Sequence, residues 1–70
     1  MIHNLQRIHE NLEDMSMIHD LWVYEDFPAT EAVVMKFYRD GERTSIRSVT
    51  FETARKHYRA CLGIGYYPVD

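Results

Sequence analysis

Apolar residues recur at helical spacing along the first sixteen positions. Met1, Leu5, Ile8, Leu12 and Met15 are separated by intervals of four, three, four and three, with Asn4, Arg7, Glu10, Asn11 and Asp14 on the remaining faces. A single stripe near a 3.6-residue period predicts an amphipathic helix over residues 1–16, ending near Asp14 to Ser16. From Met17 the pattern changes. In MIHDLWVYEDF, Leu21 and Val23 alternate with Trp22 and Tyr24, and a two-residue period rich in aromatic and β-branched residues predicts a strand over residues 19–25. The competing reading carries the heptad on through His19 and Trp22. Pro28 ends this element, because it has no N–H and biases Phe27 away from helix.

Asp40-Gly41 is the strongest hairpin signal in the chain, since both residue types accept the positive φ of a tight two-residue turn. Such a turn places Arg39 opposite Glu42, Tyr38 opposite Arg43 and Met35 opposite Ile46. Val33, Met35, Phe37 and Ile46 then share the core face. A bulged three-residue turn would instead bring Val34 opposite Ile46, burying smaller side chains. Thr50 is placed to cap a following helix, with Val49 and Ala54 as a hydrophobic staple around the cap. Phe51, Ala54, Tyr58, Cys61 and Leu62 form the apolar stripe of that helix, and Glu52, Arg55, Lys56 and Arg59 its outer face. Gly63 is the expected left-handed terminator, after which Ile64 to Val69 runs extended as a short edge strand. The expected architecture is one α+β domain over residues 1–70. It comprises a helix at 1–16, a three-stranded antiparallel meander at 19–49, a helix at 50–62 and an extended tail at 63–70.

A chain of 70 residues buries only about 60% of its unfolded surface, so a disulfide, a metal or a partner usually supplements its core. Cys61 is the single cysteine and cannot form an internal disulfide. His9 and Glu13 are spaced i, i+4, but two ligands are too few for a metal site, and no cofactor or metal is expected. Partner binding remains, with homodimerisation its simplest form. No apolar run is long enough for a membrane helix, and MIHNLQRIHENLED is too polar and acidic for a signal-peptide core. With its one free thiol, the chain is expected to be a soluble, cytoplasmic domain that does not engage membranes.

Catalytic chemistry finds little support. Cys61 falls near a helix C-terminus, where the dipole disfavours a thiolate, and on the apolar face. Gly63-Ile64-Gly65 follows a helix rather than opening one, the wrong setting for a phosphate loop. Glu25-Asp26 lies near a turn with no cleft implied, and the chain is not expected to be an enzyme.

The net charge of −3 conceals an asymmetry. Residues 1–31 carry Glu10, Glu13, Asp14, Asp20, Glu25, Asp26 and Glu31 against Arg7 alone. Residues 32–70 carry Lys36, Arg39, Arg43, Arg47, Arg55, Lys56 and Arg59 against four acids. A chain polarised in this way suits self-association or a charged partner. The expected hairpin gathers Lys36, Tyr38, Arg43 and Arg47 on its second face, beside Arg55, Lys56 and Arg59 on the last helix. A three-stranded sheet followed by a helix is similar in architecture to plant ethylene-response-type and integrase-arm DNA-binding domains. The likeness is of architecture and transfers no residue. The basic residues on the hairpin and the last helix, Lys36, Arg43, Arg47, Arg55, Lys56 and Arg59, give a nucleic-acid-binding module as the alternative function. The acidic pI of 5.7 opposes it.

Residues 51–69, FETARKHYRACLGIGYYPV, combine an acid-Thr-Ala-Arg start, an aromatic four residues after the alanine and a glycine-aromatic finish. They resemble the C-terminal ends of small uncharacterised cyanobacterial and cyanophage proteins. The resemblance implies binding to, and adjustment of, a larger protein. The leading expectation is therefore a small non-enzymatic regulator, inhibitor or adaptor that binds protein and self-associates. Its interface is expected on Met1, Leu5, Ile8, Leu12 and Met15, with Trp22, Tyr24, Tyr66 and Tyr67 as anchors, because methionine-rich stripes and large aromatics suit interfaces.

Overall fold

A computed structural model describes residues 1–69; Asp70, the last residue of the expected tail, lies outside the described residues. The chain opens with strand β1 (Ile2–Glu10), not a helix. It then continues through β2 (Met17–Phe27), a 3-10 turn (Pro28–Thr30), β3 (Ala32–Arg39), β4 (Glu42–Thr50), helix α1 (Phe51–Gly63) and β5 (Tyr67–Pro68). All five strands form one antiparallel sheet in the order β4-β3-β2-β1-β5. The broad α+β class holds, but an N-terminal helix on a three-stranded meander is replaced by a five-stranded sheet with a single helix.

The helical stripe at residues 1–16 fails for a physical reason. β1 pairs with β2 from Ile2 opposite Glu25 to Glu10 opposite Met17. Its side chains toward the helix are His3, Leu5, Arg7 and His9. Only one of these is apolar, so the two-residue hydrophobic period that marks a half-buried strand is erased. The expected stripe scatters: Leu5 is fully buried, Ile8 lies on the opposite sheet face, and Leu12 and Met15 lie in the connecting loop. That loop is built by turn chemistry. Asn11 N–H donates to Ser16 O at 2.7 Å and Met15 N–H to Asn11 O at 2.8 Å. The Asn11 Oδ1 accepts from Glu13 N–H, and Asp14 Oδ1 accepts from both Ser16 N–H and Ser16 Oγ.

The β3–β4 turn has Asp40 and Gly41 at φ of 51° and 83°, the positive pair required by a two-residue hairpin. Arg39 does face Glu42 and Tyr38 faces Arg43, but a bulge follows. Beyond it Phe37 pairs with Ser45, Lys36 with Ile46 and Met35 with Arg47, so neither expected register continues. One extra residue reverses which face each later side chain occupies. Ile46 is thrown outward to 52% exposure, and Arg47 comes onto the helix side.

Thr50 caps α1 as expected, its Oγ1 accepting from Thr53 N–H at 3.2 Å. The helix includes Gly63, and the left-handed glycine is instead Gly65 at φ 100°, where the chain turns toward β5. α1 crosses one sheet face and carries the chain from β4 at one edge to β5 at the other, where Gln6 pairs with Tyr67 and Leu5 with Pro68. The core lies between this face and α1: Leu5, Tyr24, Val33, Met35, Ala54, Cys61 and Tyr66 are buried, with Trp22, Val49, Phe51 and Tyr58 packed against them.

Candidate docking surfaces

The helix-covered face holds the polar cluster that β1 hides from a sequence reading. Asp20 on β2 is completely buried. Arg39 from β3 donates to it from Nε at 2.8 Å and Nη2 at 3.1 Å, and Arg7 from Nη2 at 3.4 Å. His9 Nε2 lies 2.8 Å away. Burial pushes the Asp20 carboxyl upward, but hydrogen bonds from Arg39, His9 and Arg7 outweigh it and hold the group at about 2. Arg7 also donates to the Ile64 carbonyl and lies over the Tyr66 ring at 4.7 Å. The cluster thereby fastens the tail to three strands.

Beside the core, Tyr24 Oη lies 2.9 Å from His57 Nδ1 and 3.7 Å from Cys61 Sγ. Burial raises the Cys61 thiol and lowers His57, the latter helped by the charge of Arg47. Burial, then the hydrogen bond with Cys61, also pushes the Tyr24 phenol far up. A neutral, buried thiol is a packing group and a poor nucleophile. Among the described residues no group of three or more His, Cys, Asp or Glu is placed to hold a metal ion. Likewise, no helix is long and apolar enough to cross a membrane.

Among the described residues, no element covers the second face of the sheet. Ile8, Met17, Phe27, Ile46 and Tyr67 are each between 41% and 60% exposed there, around half-buried Leu21, Val23 and Val34. Several of its polar groups are matched to one another, although the buried Oδ1 of Asn4 has no hydrogen-bond partner. Lys36 pairs with Glu25 at 3.7 Å, His19 Nε2 lies 2.8 Å from Gln6 Oε1, and Gln6 Nε2 donates to Tyr67 Oη at 2.8 Å.

At one end of the molecule the β1–β2 loop projects Leu12 at 85% exposure and Met15 at 70%, with Glu13 between them. At the other end a cavity of about 240 Å³ opens between α1 and the sheet. Val33, Ala54, Phe51 and Tyr58 line its floor, while His3, Asp26 and Arg55 stand at its polar side. Sequence adjacency hid this cleft, because Glu25 and Asp26 point to opposite faces of β2: Glu25 to Lys36, and Asp26 to His3 at 3.5 Å.

The anticipated interface residues are therefore divided. Met1, Leu12 and Met15 are exposed, Ile8 and Tyr67 are on the open face, Leu5, Tyr24 and Tyr66 are in the core, and Trp22 packs on Phe37 beneath α1. The basic residues are dispersed as well. Lys36 and Arg43 belong to the open-face side, Arg47 to the helix side, and Arg55 to the cavity. Lys56 pairs with Glu52 at 3.4 Å, and Arg59 is exposed on α1. The bulge thus separates Arg47 from the surface it was expected to share with Lys36, Tyr38 and Arg43.

These features define a small α+β protein: a five-stranded antiparallel sheet with one face covered by a helix and the other bare. No protein-family model matches the chain, and neither does any curated protein or solved structure with which it was compared.

Proposed function

We propose that the chain is a non-enzymatic protein-binding module, a regulator or adaptor, that works as a homodimer through its open sheet face. The observation that carries this reading is the uncovered set of Ile8, Met17, Phe27, Ile46 and Tyr67, spread around Leu21, Val23 and Val34 on a sheet whose other face is packed by α1. Four strands about 4.8 Å apart and about nine residues long present on the order of 600 Å². That is comparable to the roughly 800 Å² each partner contributes to a stable interface.

A second copy suits this face for two reasons. A two-fold interface sets the same patch against itself, so the patch must not repel its own image. Lys36 and Glu25 balance each other, and the His19–Gln6–Tyr67 chain is internally hydrogen-bonded. Two copies can therefore bring these matched groups face to face, as sheets do in a sandwich, while Asn4 Oδ1 on the same face is already without a hydrogen-bond partner. The exposed edge of β4 is the less suitable contact, since its bulge and the arginines Arg43 and Arg47 are devices that discourage strand-to-strand addition.

Sedimentation equilibrium at micromolar concentration tests the reading. The unmodified chain is expected to be dimeric, and Val23→Glu, at the centre of the face and opposite Lys36, is expected to be monomeric with a cooperative melt. A strictly monomeric, cooperatively folded unmodified chain would overturn it.

A further inference from the structure

We infer that the tip of the β1–β2 hairpin is a plug for the cavity of another copy of this chain, forming a head-to-tail contact separate from the open sheet face. The cavity defines what it accepts. Its floor is Val33, Ala54, Phe51 and Tyr58, and about 240 Å³ is room for one or two aliphatic side chains, or about eight waters at ~30 Å³ each. Asp26, the acid in its lining, is paired with His3. Arg55 on the same lining has no ion-pair partner among the described residues. The site therefore calls for an apolar group next to a carboxylate.

The hairpin tip presents that combination. Leu12 and Met15 are exposed on either side of Glu13. Asp14, by contrast, is occupied within the loop, where hydrogen bonds from the Ser16 side chain and then its backbone hold the carboxyl below its usual range. Glu13 is thus the tip's available acid for Arg55. The loop is also held in shape before any contact is made. Two backbone bonds close it, and Met15 sits at φ 62°, a left-handed conformation uncommon for a residue with a long side chain. A preformed loop loses little conformational entropy on docking.

Geometry then requires two copies. His3 lies at the cavity and Asn11 at the tip, separated by eight residues of chain that run mostly as β1, about 26 Å at ~3.3 Å per residue. A tip cannot reach its own cavity. Repetition of one head-to-tail contact builds rings or open chains, the smallest ring being an antiparallel pair with two tip-to-cavity contacts.

The test uses the Val23→Glu chain, in which the sheet-face contact is silenced, followed by sedimentation velocity from about 10 µM to about 1 mM at ~50 mM salt, where charge pairing is least screened. That chain is expected to be monomeric at the low end of this range and to associate as the concentration approaches the high end. Adding Glu13→Arg or Arg55→Glu is expected to weaken association at least about tenfold, and Leu12→Ser with Met15→Ser to abolish it. Mixing the Glu13→Arg and Arg55→Glu proteins is expected to restore it, because every tip then meets a cavity of opposite charge on the other variant. A Val23→Glu chain that stays monomeric at the highest concentration overturns the plug and leaves the sheet-face dimer standing. Single charge variants that associate like their parent, or a mixture that recovers nothing, overturn it too.

Discussion

Arg39 grips Asp20 with both branches of its guanidinium, Nε to Oδ1 at 2.8 Å and Nη2 to Oδ2 at 3.1 Å, across neighbouring strands of the sheet. The carboxylate is wholly buried, so its partners cannot be removed without leaving a charge with no solvent. Arg39→Ala is expected to destabilise the fold by about 3 kcal/mol or more, measured as a lower midpoint in urea. Asp20→Asn, which keeps shape but loses the charge, is expected to melt earlier than the unmodified chain as well.

The same pair sets an acid limit. The Asp20 carboxyl is held at about 2, below its ordinary 3.8. A depressed carboxyl contributes its stabilisation in full above the unfolded value and loses it as pH falls through the folded one. On the order of 2 kcal/mol is expected to vanish between about pH 4 and pH 2. Melts across that range are expected to show the loss in the unmodified chain and a flatter profile in Asp20→Asn.

Cys61 is expected to resist alkylation in the folded protein. Its side chain is packed beneath α1 and burial raises its thiol. Iodoacetamide labelling at neutral pH, followed by intact mass, is expected to be far slower than for a free cysteine and to become rapid in denaturant. Fast native labelling would place a reactive thiol where the packing has none.

Thr50→Ala removes the hydroxyl that accepts from Thr53 N–H at the start of α1. The expected cost is about 1 kcal/mol, or roughly 4–8 °C in Tm for a domain of this size. Thr50→Ser is expected to recover most of it, because the serine hydroxyl reaches the same N–H.

Scattering of the basic residues over two faces and one end also predicts an outcome. Electrophoretic shift at about 50 mM salt is expected to give no complex with duplex DNA at tens of micromolar protein, since phosphate binding needs a shared cationic track.

The second half of the chain was legible because its local signals agree. Asp40-Gly41 reverses the chain, Thr50 caps α1, and Val49 with Ala54 brings the helix onto the sheet. The first third was not, because β1 fills its inward positions with His3, Arg7 and His9, whose partners are Asp26 and Asp20 on another strand. A pattern of hydrophobicity cannot register a strand whose inner face is held by charge. The decisive local sign was Asn11, Asp14 and Ser16, residues that make turns. The bulge past Tyr38 left no such sign, so Ile46 and Arg47 exchanged faces and the expected basic surface dissolved with them. The cavity was hidden for a related reason: it needs His3, Asp26 and Arg55 from three distant segments, and those meet only once β1 is a strand.

Gln6 and Tyr67, sixty-one residues apart, join the first strand to the last. The outer edge of β1 has nothing in the sheet to pair with until residues 67 and 68 dock against it. Closure of β5 over that edge requires α1 to span the sheet from β4 to the far side. Contacts of such long sequence separation slow folding, so a refolding chain that has not yet docked β5 is expected to expose a β1 edge open to any other strand nearby.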